Sequence, residues 1–304
     1  MNTIGFDTSN YTTSIAFYDG VDGINCSRLL PVKPGELGLR QSDAVFSHTK
    51  SLPELSGRLF SHAQVGSIDA IAVSTRPRAV EGSYMPCFMV GFAQAKLLSD
   101  ALHVPLFEVS HQQGHVAACL WSAGRMDLMD KPHLAWHLSG GTTELLLVEP
   151  RGKNVQCTKI GGTTDISAGQ LIDRTGVMLE LPFPAGKHVD ALSHDAQCQD
   201  VFQVKVNGLE FSLSGIQNKV QQYYASHCMA DTAAFALRCV CNAVQKATRN
   251  AQKAYPGLEV VFSGGVASNS MLRQVMTDAV FCHPAYATDN AMGVAVLAHR
   301  LMEE

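Results

Sequence analysis

Apolar residues in this chain come in short runs separated by polar or glycine-rich turns, and the runs alternate between strand and helix periodicity. TIGFD at 3–7 stops at the polar loop TSNYTT, and SIAFYDG at 14–20 alternates until Asp19-Gly20, which predicts strand, turn, strand. Residues 42–62 predict a helix that Pro53 interrupts or kinks. IDAIAVSTRP at 68–77 reads as a buried strand, 85–102 as a helix, 104–111 as another strand, and HQQGHVAACLW as the start of the next helix. A second strand–turn–strand unit, HLAWHLSGGTTELLLVEP at 133–150, echoes the first in architecture more than in residue identity. Beyond it, helices are predicted near 165–179, through about His194, over SLSGIQNKVQQYY, and from Met229 to about Gln252. A strand, glycine turn and helix follow at 258–276, and Thr288 or Asp289 is placed to cap a final helix.

Two related α/β halves, each opening on a strand hairpin, fit this order better than one continuous sheet. The first spans 1–105 and is completed by the C-terminal helix 289–304; the second spans 106–288. Ligands in such architectures collect where strand ends and helix starts converge.

Composition narrows the picture. With 46% hydrophobic and 16% charged residues among 304, a sizeable core is easily filled. A net charge of −4 argues against wholesale coating of nucleic acid and leaves room for a local basic patch. The nine cysteines include no CxxC pair, so neither a disulfide framework nor a cysteine-rich zinc site is expected. The opening MNTIGFDTS lacks the features of a secretory signal, and no run has membrane-spanning length, so a cytoplasmic protein with no membrane association is expected.

Candidate chemistry falls in a few places. Ser139, Gly140, Gly141, Thr142 and Thr143 form one small-residue turn, and Ser263, Gly264 and Gly265 form another directly after a buried strand. Each is either an anion cradle of backbone N–H groups or a plain turn. Asn269 recognises an amide or hydroxyl, or caps its helix. His111 and His115, four apart, share a helix face and are metal ligands or an ordinary polar pair. Asp289 is the best third ligand, or simply a helix cap. Asp7 ends the first strand beside Thr8 and Ser9. Asp165 and Asp173 stand near one helix face, with Asp173 the better ligand contact or simply a salt-bridge partner of Arg174 or another surface base. Lys205 and Lys219, with Arg174 and Lys187, form a small anionic-substrate patch or a solvated surface.

Taken in order, IGFDTSNYTTSIAFYD, SHQQGH, LSGGTTELLLV, TTDISAGQLIDR, LPFPAG, FSLSGIQ, FSGGVASN and TDNAMG resemble the Kae1/TsaD/Qri7 family, once labelled glycoproteases. The resemblance covers nearly the whole chain. It implies a duplicated actin-like/sugar-kinase/Hsp70 ATPase α/β fold with a ligand cleft between two lobes. It also implies transfer of a threonylcarbamoyl group from threonylcarbamoyl-AMP to N6 of adenosine 37 in tRNA. His111, His115 and Asp289 match the family's iron or zinc ligands; Ser139 to Thr143, Asp173, Gly186 and Asn269 match its ligand contacts. The glycine turns, Ser263 to Gly265 among them, would hold an adenylate: threonylcarbamoyl-AMP, AMP or ATP. Asp7 and Gln113 stand at the candidate catalytic positions. A smaller actin-like paralogue, an ATPase partner and tRNA are the partners implied. Peptidase activity is not expected, because the chain has no HExxH motif.

Several polar groups of the family pattern are neutral here. The usual HxEGH becomes His111-Gln112-Gln113-Gly114-His115, SGGHT becomes SGGTT, and DDAAGEAFD becomes DISAGQLID. A glutamine cannot do the proton chemistry of a glutamate. Besides the family reaction, the chain therefore fits a different ATP-using carbamoyl- or acyl-group transferase of the same fold. It also fits a noncatalytic nucleotide-binding subunit of a modification complex.

Overall fold

The computed structural model describes residues 1–9, 11–31, 39–62 and 66–303. Two compact units are present: Met1–Lys131 with Glu149–Cys157 and Asp289–Glu304, and Pro132–Val148 with Thr158–Thr288.

In the first unit the apolar runs become β1 (Thr3–Thr8), β2 (Thr12–Tyr18), β4 (Ala70–Arg76) and β5 (Leu106–Ser110). β3 (Gly23–Leu29) was not predicted, because GINCSRL is an edge strand of mixed polarity with little apolar alternation. The sheet order is β3-β2-β1-β4-β5, antiparallel on the hairpin side and parallel from β1 to β5. Ile4 and Phe6 face α1 (Gln41–His62) and α2 (Phe88–Leu102), where Leu52, Leu55, Leu59 and Ala95 close the core. Successive strand residues point to opposite faces. Gly5 accordingly faces α9 (Met292–Leu301), which packs with α3 (His111–Ser122).

Two expectations are corrected here. Pro53 does not interrupt α1: it lies on the exposed side of one continuous helix. The first unit also runs past residue 105 to Lys131. β5 pairs in parallel register with β4, from Ile71↔Leu106 to Ser74↔Val109, and α3 packs on α9.

The second unit holds β6 (His133–Leu138), most of β7 (Thr143–Arg151), part of β8 (Asn154–Thr163), β9 (Val206–Asn207), β10 (Glu210–Phe211), β11 (Val260–Ser263) and β12 (Val280–Phe281). Its sheet order is β12-β11-β6-β7-β8-β10-β9. Read from β8 to β12, this repeats the order of β3 to β5, again with an antiparallel hairpin beside parallel strands. The helices are α4 (Ala168–Met178), α5 (Gly186–Ser193), α6 (Ser214–Tyr224), α7 (Met229–Ala254) and α8 (Ser270–Val275). Trp136, Phe262, Leu171 and the small-residue face of α7 fill the core. Among the described residues, no helix is long and apolar enough to cross a membrane.

Candidate metal centre and ligand turns

In the first unit, Ser110 ends β5 and caps α3. Its Oγ accepts the Gln113 amide at 3.2 Å, while Gln113 Oε1 accepts the Ser110 amide at 2.8 Å. Gln113 Nε2 donates to the Val155 carbonyl at 2.7 Å. Both ends of this side chain are committed to backbone groups.

That cap sets the first helical turn, from which His111 and His115 project one turn apart. Their Nε2 atoms are 3.0 Å apart, and Asp289 Oδ1 lies 3.2 Å from His115 Nε2 and 3.6 Å from His111 Nε2. Behind them His111 Nδ1 donates to Asp7 Oδ2 at 2.7 Å. Asp7 is 1% exposed and also accepts Ser74 Oγ at 2.8 Å and the Ser9 amide at 2.9 Å. A carboxylate on Nδ1 fixes the proton there and leaves the His111 Nε2 lone pair facing the cluster.

Burial opposes charge on His111, yet Asp7 and Asp289 outweigh it and push the imidazole up to about 10. Burial likewise opposes charge on Asp289, but hydrogen bonds and charge from the two histidines hold its carboxyl well below the usual range. Asp7 is lowered against burial by the charge and hydrogen bond of His111. The pocket therefore favours a cation: a proton, or a metal ion in its place. Two imidazoles and one carboxylate suit iron or zinc better than a hard, oxygen-seeking ion.

Asp289 reaches the histidines because α9 lies directly on its neighbours. A Cβ on Gly293 would collide with the Gly114 carbonyl, and one on Gly5 would sit 2.5 Å from both the Ala291 carbonyl and the Ala295 amide. The expected capping role of Thr288 or Asp289 is not found. α9 starts three residues later, with Ala291 at its N-cap and Asn290 Oδ1 accepting the Met292 amide at 3.0 Å.

In the second unit, both SGG turns sit at the carboxyl ends of adjacent parallel strands, β6 and β11, with Ser263 in register with His137. Gly264 has φ +88°, and a Cβ there would strike the Leu138 carbonyl, so both its conformation and its space require glycine. The first turn is closed by the Ser139 amide on the Thr142 carbonyl at 2.8 Å and the Thr142 amide on Ser139 Oγ at 3.0 Å. Ser167 Oγ donates to the Gly140 carbonyl at 2.6 Å, and Thr143 Oγ1 accepts the Ala168 amide at 2.8 Å. These bonds seat the start of α4 against the turn. Among the described residues, the Gly140 and Gly141 amides have no acceptor, and both glycines border open space.

Asp173 and Gly186 meet at the α4–α5 junction, where Asp173 Oδ1 accepts the Ala185 amide at 2.9 Å and burial raises the carboxyl. Asn269 caps α8 through the Leu272 amide at 3.0 Å and donates Nδ2 to Asp190 Oδ1 at 2.7 Å. Asp165 does not join Asp173; it binds the 212–214 loop through Ser212, Leu213 and Ser214. Arg174 and Lys219 pair with Gln217 and Gln222, and Lys205 lines a cavity of about 310 Å³ with Lys246, Arg249 and Lys253 of α7. Sequence reasoning passed over Ser74 and Asp190. Ser74 sits in a predicted strand end and had a signal; Asp190 had none.

Two units built on one repeated strand order define the actin-like, sugar-kinase and Hsp70-type ATPase fold. Within that class the chain belongs to the TsaD family, described as tRNA N6-adenosine threonylcarbamoyltransferase, whose profile matches residues 38–296. The protein of that name from Archaeoglobus fulgidus is 28% identical over 277 residues, which cover 91% of this chain and 81% of the relative. The one from Streptococcus mutans is 33% identical over 221 residues, covering 69% of this chain and 62% of the relative. The match thus spans less than two thirds of the streptococcal protein. Among solved structures, full-length HypF in its phosphate- and nucleotide-bound form aligns with 100% of this chain and 47% of its own, with a TM-score of 0.63 and 14% identity.

Proposed function

We propose that this chain is a metal-dependent transferase that moves a threonylcarbamoyl group from threonylcarbamoyl-AMP to N6 of adenosine 37 in tRNA. The observation that carries the reading is the His111–His115–Asp289 cluster with Asp7 behind it, in a member of the TsaD family. Iron or zinc held by His111, His115 and Asp289 supplies Lewis acidity toward a carbonyl or phosphoryl oxygen. The chain's own residues set the rest. Asp7 orients His111. The free amides of Gly140 and Gly141, with the start of α4 beside them, suit the phosphate of an adenylate. Ser263, Gly264 and Gly265 border the same end of the sheet, and Asp173 and Gly186 frame room for the nucleoside. On transfer, the adenosine N6 bonds to the carbamoyl carbon and gives up one proton to solvent, the carbon–oxygen bond to phosphate breaks, and AMP leaves with that electron pair.

Gln113 in place of the family's glutamate does not remove a base on this account. Its side chain acts as a helix cap, a role that glutamine and glutamate share. The acceptor reading draws support from the groove lined by Lys205, Lys246, Arg249 and Lys253 without an acidic residue, on a chain of net charge −4. A smaller actin-like paralogue and an ATPase complete the proposed assembly. The test is expression in cells depleted of their own threonylcarbamoyltransferase, followed by mass analysis of tRNA nucleosides. Threonylcarbamoyl adenosine is expected with the wild type and not with His115→Ala. Its absence with a well-expressed wild type that holds metal would shift the assignment to a different group-transfer reaction.

A further inference from the structure

Outside the histidine cluster, a second set of metal-ligating side chains converges in the second unit. Cys198, Asp200 and His227 each place one donor atom within 4.8 Å of the other two. They come from an irregular segment before β9 and from the turn between α6 and α7, far apart in sequence.

The arrangement is held by the surrounding fold. α7 grips the irregular segment by its backbone: Asp231 Oδ1 accepts the Gln197 and Cys198 amides at 2.8 and 2.7 Å, and Arg238 Nη1 donates to the Cys198 carbonyl at 2.6 Å. Farther along, Asn242 Oδ1 accepts the Val204 amide at 3.1 Å. Cys198 and Asp200, two apart in a segment pinned this way, both bring a donor atom to the cluster. The opposite ligand is oriented from behind. His227 stacks on Tyr223 at 3.7 Å, and its Nδ1 lies 3.0 Å from the Tyr223 carbonyl and 2.9 Å from Ser226 Oγ; with Nδ1 donating to that carbonyl, Nε2 carries the free lone pair. The hydroxyl of the same tyrosine donates to Asp200 Oδ2 at 2.8 Å. Ligands fixed by outer hydrogen bonds in this manner are the pattern of metal sites.

We propose that Cys198, Asp200 and His227 form a zinc site, separate in sequence and ligand chemistry from the histidine cluster. A thiolate with an imidazole and a carboxylate selects a borderline divalent ion such as zinc over magnesium or calcium. Zinc displaces the Cys198 thiol proton to solvent and ties the 198–200 segment to the α6–α7 turn, leaving a fourth position for water. This inference does not depend on the transferase reading.

The test uses cobalt as a probe and zinc as a count, on the full chain stripped of metal under anaerobic conditions. His111, His115 and Asp289 contain no sulfur, so they cannot produce a thiolate-to-cobalt charge-transfer band. One equivalent of that band is expected in the wild type and in a His111→Ala, His115→Ala double variant. It should vanish in Cys198→Ser, weaken at least tenfold in apparent affinity in His227→Ala, and persist in Cys228→Ser. Zinc counting should give two ions per chain in the wild type and one in either Cys198→Ser or His115→Ala. A wild type without the band, or a band that survives Cys198→Ser, overturns the site. Should Cys198→Ser fail to fold, Asp200→Ala and His227→Ala decide it by the same zinc count.

Discussion

His111 donates through Nδ1 to a buried carboxylate and presents Nε2 to its cluster, so the identity of residue 7 should govern metal affinity without residue 7 touching the metal. Asp7→Asn is expected to weaken zinc binding about 10- to 100-fold in a competition titration, the usual scale for losing such an outer partner. Unchanged affinity would mean that Asp7 merely packs. A second residue-scale prediction concerns acid. Partial burial opposes ionisation of Asp165, but the Ser212 and Ser214 hydroxyls and the Leu213 and Ser214 amides outweigh it and hold the carboxyl well below its ordinary range. A depressed folded pKa contributes stability that is present above the unfolded value, about 3.9, and is lost as pH falls below it. Asp165→Asn should therefore lower Tm at neutral pH and flatten its fall below about pH 4. The His111/His115 pair stood out by spacing, whereas Asp289 was chosen for a cap position it does not take and the Asp7–His111 bond left no signal in the sequence. The commitment of Gln113 left none either, because its partner Val155 is 42 residues away and offers only a carbonyl.

At the scale of elements, the His111–His115–Asp289 cluster rests on how closely α9 approaches α3 and β1. Gly293 and Gly5 have no room for a Cβ against Gly114 and Ala295. Gly293→Ala should cost about 1–3 kcal/mol, the range for overpacking a tightly filled position. It should also lower metal occupancy, since Asp289 precedes the displaced helix; calorimetry and metal analysis of one preparation check both. A variant that loses stability but keeps full occupancy would separate the helix packing from the site. The hydrophobic pattern located most elements and the two hairpins, because each buries a continuous apolar run. It read Pro53 as a break or a kink, and α1 runs unbroken through it; it read a cap at Thr288 or Asp289, where the helix starts at Met292 and Asn290 accepts its amide. Asp190, which clamps Asn269 and Ser270, shows itself only once α5 and α8 are brought together.

Across the whole molecule, one strand order appears twice with different chemistry at the strand ends. The first copy carries the histidine cluster and the second carries the glycine turns, on a chain whose net charge is negative. The groove lined by Lys205, Lys246, Arg249 and Lys253 carries four cations and no acidic residue on that chain. Lys246→Glu with Arg249→Glu should weaken tRNA binding and reduce the slope of log affinity against log salt by about 2, one for each phosphate that is no longer neutralised. An unchanged slope would place the acceptor elsewhere. The most direct test of the account combines the purified, metal-loaded chain with threonylcarbamoyl-AMP and unmodified tRNA, with and without a paralogue and ATPase fraction, and quantifies modified nucleosides by mass. Threonylcarbamoyl adenosine is expected with the wild type, with a loss of at least about 100-fold in His115→Ala, the scale of removing one catalytic group. A wild-type chain that holds its metal and binds the adenylate, yet leaves the tRNA unmodified in both mixtures, would contradict the transferase reading.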